Sequence, residues 1–130
     1  MSAMSFREPN EVKWVGVRPA HKGTQKLIRK VGVTADIEVY SVPADTTFYM
    51  TSMFVNLKAP NGDERVTIRI RDTADNTIHI PLQINTAVAG QEVVSRNFYP
   101  PVEVPSGYDI YIDVAGTAPT VNLALEGWEE

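Results

Sequence analysis

The sequence predicts an all-β chain folded as an antiparallel two-sheet sandwich of about eight strands. Three observations point there. Short runs of β-branched and aromatic residues alternate with polar ones; Gly, Pro, Asn and Asp clusters separate the runs; and helical periodicity is nearly absent. A chain of 130 residues without an internal repeat has the size of one domain. The expected organisation is an N-terminal arm over residues 1–10 and a single sandwich domain over residues 11–130.

Three strands are expected first, at Val12–Val17, Lys26–Val33 and Ile37–Val42. In the next, Thr47–Lys58, large apolar groups occupy both parities, so both faces should be covered, either by a loop or arm or by another subunit. Asn61-Gly62 suits a tight hairpin turn and would make this run the antiparallel partner of Arg65–Arg71. There Val66, Ile68 and Ile70 share one face, while Arg65, Thr67, Arg69 and Arg71 share the other. A turn at Asp72–Asn76 leads to Thr77–Ile84, with Ile78, Ile80, Leu82 and Ile84 on one face. Pro81 cannot donate to a ladder and marks this strand as an edge or a bulge. Gln91–Phe98 follows, then an extended connection whose three prolines forbid a helix, ending at Ser106-Gly107. Tyr108, Ile110, Ile112 and Val114 form the inward face of the penultimate strand, and Val121, Leu123 and Leu125 that of the last. The expected core is therefore Val66, Ile68, Ile70, Ile78, Ile80, Ile110, Ile112, Leu123 and Leu125.

Composition excludes several function classes. Without cysteine there can be no disulfide, thiolate metal site or cysteine nucleophile. No apolar run approaches the roughly 20 residues of a membrane-spanning helix, and the first residues lack the pattern of a secretory signal. Residues 1–35 carry seven basic residues against Glu8 and Glu11, whereas the rest of the chain is strongly acidic, within a net charge of -4. Such a division suits a solvated first strand and loop, or a basic arm lying on an acidic neighbour. Nucleic acid is disfavoured because no series of stacking aromatics is interleaved with the basic residues.

No catalytic centre is apparent. His21 and His79 are isolated, and neither a Gly-x-Ser-x-Gly elbow, a Ser-x-x-Lys stretch nor a glycine-rich phosphate loop occurs. Asp109 and Asp113 lie four apart on one strand, about 13 Å by the strand rise, too far for a glycosidase pair. Asp72, Asp75 and Asn76 offer oxygens to calcium, or cap their own turn. The expectation is a non-enzyme without cofactor or essential metal. Trp14, Tyr40, Tyr49, Tyr99, Tyr108, Tyr111 and Trp128 could form a sugar-binding platform, although strands of differing parity direct them toward packing, so a carbohydrate-binding module is the alternative.

From Thr47 onward, Phe48-Tyr49-Met50-Thr51-Ser52, the run from Val66 to Asp72 with its turn, the stretch Phe98-Tyr99-Pro100-Pro101-Val102-Glu103-Val104-Pro105-Ser106-Gly107-Tyr108-Asp109-Ile110-Tyr111-Ile112 and the closing Leu123 to Glu130 form a pattern. It resembles the small jelly-roll virion proteins of tailed bacteriophages, which serve as capsid decoration, head-fibre or tail-associated components. The resemblance implies an eight-stranded jelly roll that works by binding other virion proteins and copies of itself, usually as a trimer, and it carries no catalytic residues. The two-faced strand and the exposed arginines nominate Tyr49, Met53, Val55, Arg65, Arg69 and Arg71 as a subunit interface.

Overall fold

The computed structural model describes residues 23–130. The expected arm over residues 1–10, the strand Val12–Val17, Trp14 and His21 lie outside the described residues. Eight strands follow: β1 (Thr24–Val33), β2 (Ile37–Ser41), β3 (Phe48–Ala59), β4 (Arg65–Arg71), β5 (Thr77–Asn85), β6 (Gly90–Val104), β7 (Asp109–Ala115) and β8 (Thr120–Glu129). No described residue is helical, so among them no helix is long and apolar enough to cross a membrane.

Among the described residues all pairings are antiparallel and form two four-stranded sheets, β1-β8-β3-β6 (sheet I) and β2-β7-β4-β5 (sheet II). Because β1 lies against β2, the two orders superpose, with β8 over β7, β3 over β4 and β6 over β5. The chain passes from sheet to sheet at every connection except the β4–β5 hairpin, and its first described strand pairs with its last. This is the jelly-roll path, in an all-β, two-sheet antiparallel sandwich.

The path corrects one expected pairing. β3 and β4 do not form a hairpin, because β3 belongs to sheet I and β4 to sheet II. Asn61-Gly62 turns the chain across the end of the sandwich instead. Asn61 Nδ2 donates to the Thr117 carbonyl at 2.8 Å. Gly62 has φ +75°, and a side chain there would meet the Val88 and Ala89 backbone at 2.7–2.8 Å.

β3 explains its own two-sided hydrophobicity. Its ladders to β6 and β8 both shift register between Met50 and Ser52. A bulge at this point reverses the parity that faces the core. Phe48 and Met50 before it, and Met53, Val55, Leu57 and Ala59 after it, are all buried in the same core. A single inner face thus reads as two faces in the sequence. Opposite the bulge, Gly127 lets β8 approach closely, since a Cβ there would stand 2.9 Å from the Tyr49 carbonyl carbon and 3.0 Å from Met50 Cα.

β4 has the alternation expected of it, with Val66, Ile68 and Ile70 buried, as are Ile110 and Ile112 of β7 and Leu123 and Leu125 of β8. Ile78 and Ile80 depart from expectation, being 51% and 48% exposed. β5 is an edge strand whose register against β4 shifts twice, between Ile68 and Ile70 and again before Arg71. The phase that buries Leu82 and Ile84 is therefore lost upstream of Pro81. β6 runs longer than expected, through Pro100 and Pro101 to Val104. It too is an edge strand, where a residue without an N–H need not break a ladder.

Candidate functional site

The outer face of sheet II carries a dense polar cluster, built by cross-strand register. Arg71 of β4 stands opposite Asp109 of β7, Arg69 opposite Tyr111, and Thr67 opposite Asp113. Arg71 grips Asp109 with two hydrogen bonds, Nε to Oδ1 at 2.9 Å and Nη2 to Oδ2 at 2.7 Å, and reaches Asp75 at 3.6 Å. Arg69 donates to Thr77 Oγ1 at 2.7 Å and to Asp113 Oδ1 at 3.3 Å. Its Nε lies 2.7 Å from Asp113 Oδ2, outside hydrogen-bond alignment, so that contact is one of charge. Both guanidinium groups pack on the Tyr111 ring, at 3.9 Å for Arg71 and 5.1 Å for Arg69. The hydrogen bonds it donates to Asp109 hold the Arg71 guanidinium even more firmly protonated than usual.

Of the six residues nominated as an interface, only some face outward. Met53 and Val55 are 2% and 0% exposed inside the sandwich, which removes them from any outer surface because the β3 bulge turns them inward. Tyr49 lies on the outer face of sheet I, stacked on Trp128 with centroids 5.0 Å apart. Arg69 and Arg71 are engaged with acids of their own chain, and Arg65 is exposed. The sequence reading missed Asp109, Asp113 and Tyr111 as the partners of these arginines, because strand pairing between β4 and β7 has no local signal.

Sheet I presents a different surface. Leu27 (54% exposed) and Phe54 (44%) flank a shallow depression of about 200 Å³ together with Ser52, Ser95, Asn97 and Glu126. Val93 on β6 is likewise exposed.

Two buried carboxylates pin the ends of the sandwich. Glu129 of β8 accepts a hydrogen bond from the Tyr40 hydroxyl of β2, and Lys26 Nζ stands 3.6 Å away, so this group ties the two sheets together. Burial, then the hydrogen bond and charge of Glu129, push the Tyr40 hydroxyl well above its ordinary pKa. At the other end Glu64 accepts from the Asp63 N–H at 3.1 Å, and its backbone exchanges hydrogen bonds with Thr86. Neither was singled out from sequence.

The turn offered to calcium caps itself. Asp72 Oδ1 accepts from the N–H groups of Ala74 and Asn76 at 2.9 and 3.0 Å, and these bonds, Asn76 first, hold its carboxyl below the usual range. Among the described residues no three His, Asp or Glu side chains are grouped as metal ligands. His79 sits exposed on β5. Among the described residues the aromatic side chains do not share one open face: Trp128 is buried beneath Tyr49, Tyr40 packs edge-on against Phe48, and Tyr111 is covered by arginines, whereas Tyr99 is 82% exposed. Compared with models of known protein families and with curated proteins, the chain matches none.

Proposed function

We propose that this chain is a non-enzymatic structural protein that works by binding copies of itself and neighbouring proteins, as a capsid-decoration or tail-associated component of a tailed-bacteriophage virion. The observation that carries the structural reading is the cluster of Arg69, Arg71, Asp75, Asp109, Asp113 and Tyr111, whose charged groups are engaged with one another. A network satisfied in this way stiffens a sheet and offers no free acid, base or nucleophile to a substrate. The virion assignment draws its support from the jelly-roll path, which is the fold that the resemblance implies. A trimer belongs to the same resemblance, but its motive in the sequence, a β3 strand with two apolar faces, is met inside the chain by the bulge. Quantitative mass spectrometry of density-purified particles tests the assignment. A fixed copy number per particle that survives high-salt washing is expected, and a chain found only in the particle-free lysate overturns it.

A further inference from the structure

Among the described residues four strands end the two sheets, and three of them are blunted against further pairing. β1 carries Lys26, Arg29 and Lys30 and slips register between Lys30 and Val33. β2 has five residues and an irregularity between Glu38 and Tyr40. β5 contains Pro81 and two register shifts. β6 differs: from Gly90 opposite Ala59 to Asn97 opposite Ser52 it pairs with β3 without interruption, and that segment contains no proline. Its other edge has no strand partner among the described residues.

What guards this edge is charge. Glu92, Val94 and Arg96 stand opposite Leu57, Val55 and Met53, all core residues, so they belong to the inward parity of β6. Glu92 and Arg96 are nevertheless exposed because the sandwich opens at its side. Inward charges at an edge repel an arbitrary added strand. Among the described residues neither has an ion-pair partner. The segment Gln91-Glu92-Val93-Val94-Ser95-Arg96-Asn97 is, however, complementary to itself when reversed.

We propose that β6 pairs antiparallel with β6 of a second copy about a two-fold axis at Val94, joining the two copies of sheet I into one eight-stranded sheet. A two-fold axis perpendicular to the sheet keeps inward residues on the inward side, so only registers that match parity are allowed. Centring on Val94 places Glu92 opposite Arg96 of the second copy, twice, with Val94 meeting its own equivalent and Gln91 meeting Asn97. Moving the centre to Val93 or Ser95 sets Val94 against Glu92 or Arg96 instead and leaves the charges unpaired. The charges that bar other strands thus admit this one, and they fix its register.

This inference deepens the self-association part of the proposed function and is independent of the virion assignment. Light scattering on the full chain after size exclusion tests it. Wild type should show twice the 14.4 kDa chain mass at micromolar concentration. Glu92→Arg and Arg96→Glu should each shift the mass to that of one chain, and the double exchange E92R/R96E should restore the pair. Circular dichroism spectra matching wild type keep the single variants interpretable; if they unfold, Glu92→Gln and Arg96→Gln replace them, with weakened pairing expected. A wild-type monomer overturns both the edge pairing and the homo-oligomer. A trimer, or a dimer indifferent to both single exchanges, overturns the edge pairing and leaves self-association standing.

Discussion

Sheet II and sheet I both place opposite charges on strands that face outward or lie at an edge, but they settle them differently. In sheet II the acids stand on β7 and the arginines on β4, and register sets Arg71 against Asp109 within one chain. In sheet I Glu92 and Arg96 occupy the same edge strand, β6, where they lie four residues apart on one face and cannot meet each other across a ladder. The same chemistry that closes one sheet on itself equips the other to recognise a reversed copy. An ion pair gains from placement on two strands, and a chain that puts both members on its own edge needs a second chain to complete the pair.

The largest effects should come from the core on which both sheets rest. Phe48→Ala and Met53→Ala, on opposite sides of the β3 bulge, should each cost about 2–5 kcal/mol in urea unfolding. If either change is nearly neutral, its side chain is not in the core and the single inner face of β3 fails. Arg71→Ala comes next, because it leaves the buried Asp109 carboxylate without its bidentate partner. A loss of about 2–3 kcal/mol is expected, against less than about 0.5 kcal/mol for the exposed Arg65→Ala. Equal costs for the two arginines would mean that the cluster on sheet II adds nothing to stability.

Acid should act on the turns and alkali on the end of the sandwich. Hydrogen bonds hold Asp72, and Asp63 through Thr117, below the ordinary carboxylate range in the folded chain. Their contribution is therefore present above the unfolded value of about 3.9 and is lost as pH falls through the folded values. The Tyr40 hydroxyl is shifted upward, so its contribution is present below the unfolded value of about 10 and declines as pH rises beyond it. A melting-temperature profile should be level through neutrality and fall at both ends, and Tyr40→Phe should flatten the alkaline limb. The smallest change is expected for Phe54→Ser on the outer face of sheet I, within about 1 kcal/mol.

How much of this was legible depended on whether a strand keeps its phase. β4 alternates without interruption, and its buried residues follow from sequence alone. β3 and β5 carry register shifts, and a bulge leaves no dependable local signature, so β3 seemed two-faced and Ile78 and Ile80 were placed inward. Asn61-Gly62 marked a turn correctly but could not say whether the next strand joins the same sheet. The arginine cluster was half visible: Arg65, Arg69 and Arg71 share a face by parity, whereas Asp109 and Asp113 become their neighbours only through a pairing 38 to 44 residues distant in sequence. The edge position of β6, and with it the meaning of Glu92 and Arg96, likewise depends on topology.

Amide hydrogen exchange compares the two neighbouring edges most directly, with protein concentration as the variable. Edge pairing predicts that amides of Gln91–Asn97 on β6 gain protection as concentration rises through the association range, while those of Thr77–Ile80 on the blunted β5 edge exchange at an unchanged rate. Exchange in β6 that is independent of concentration, or protection that grows on β5 alone, would contradict it.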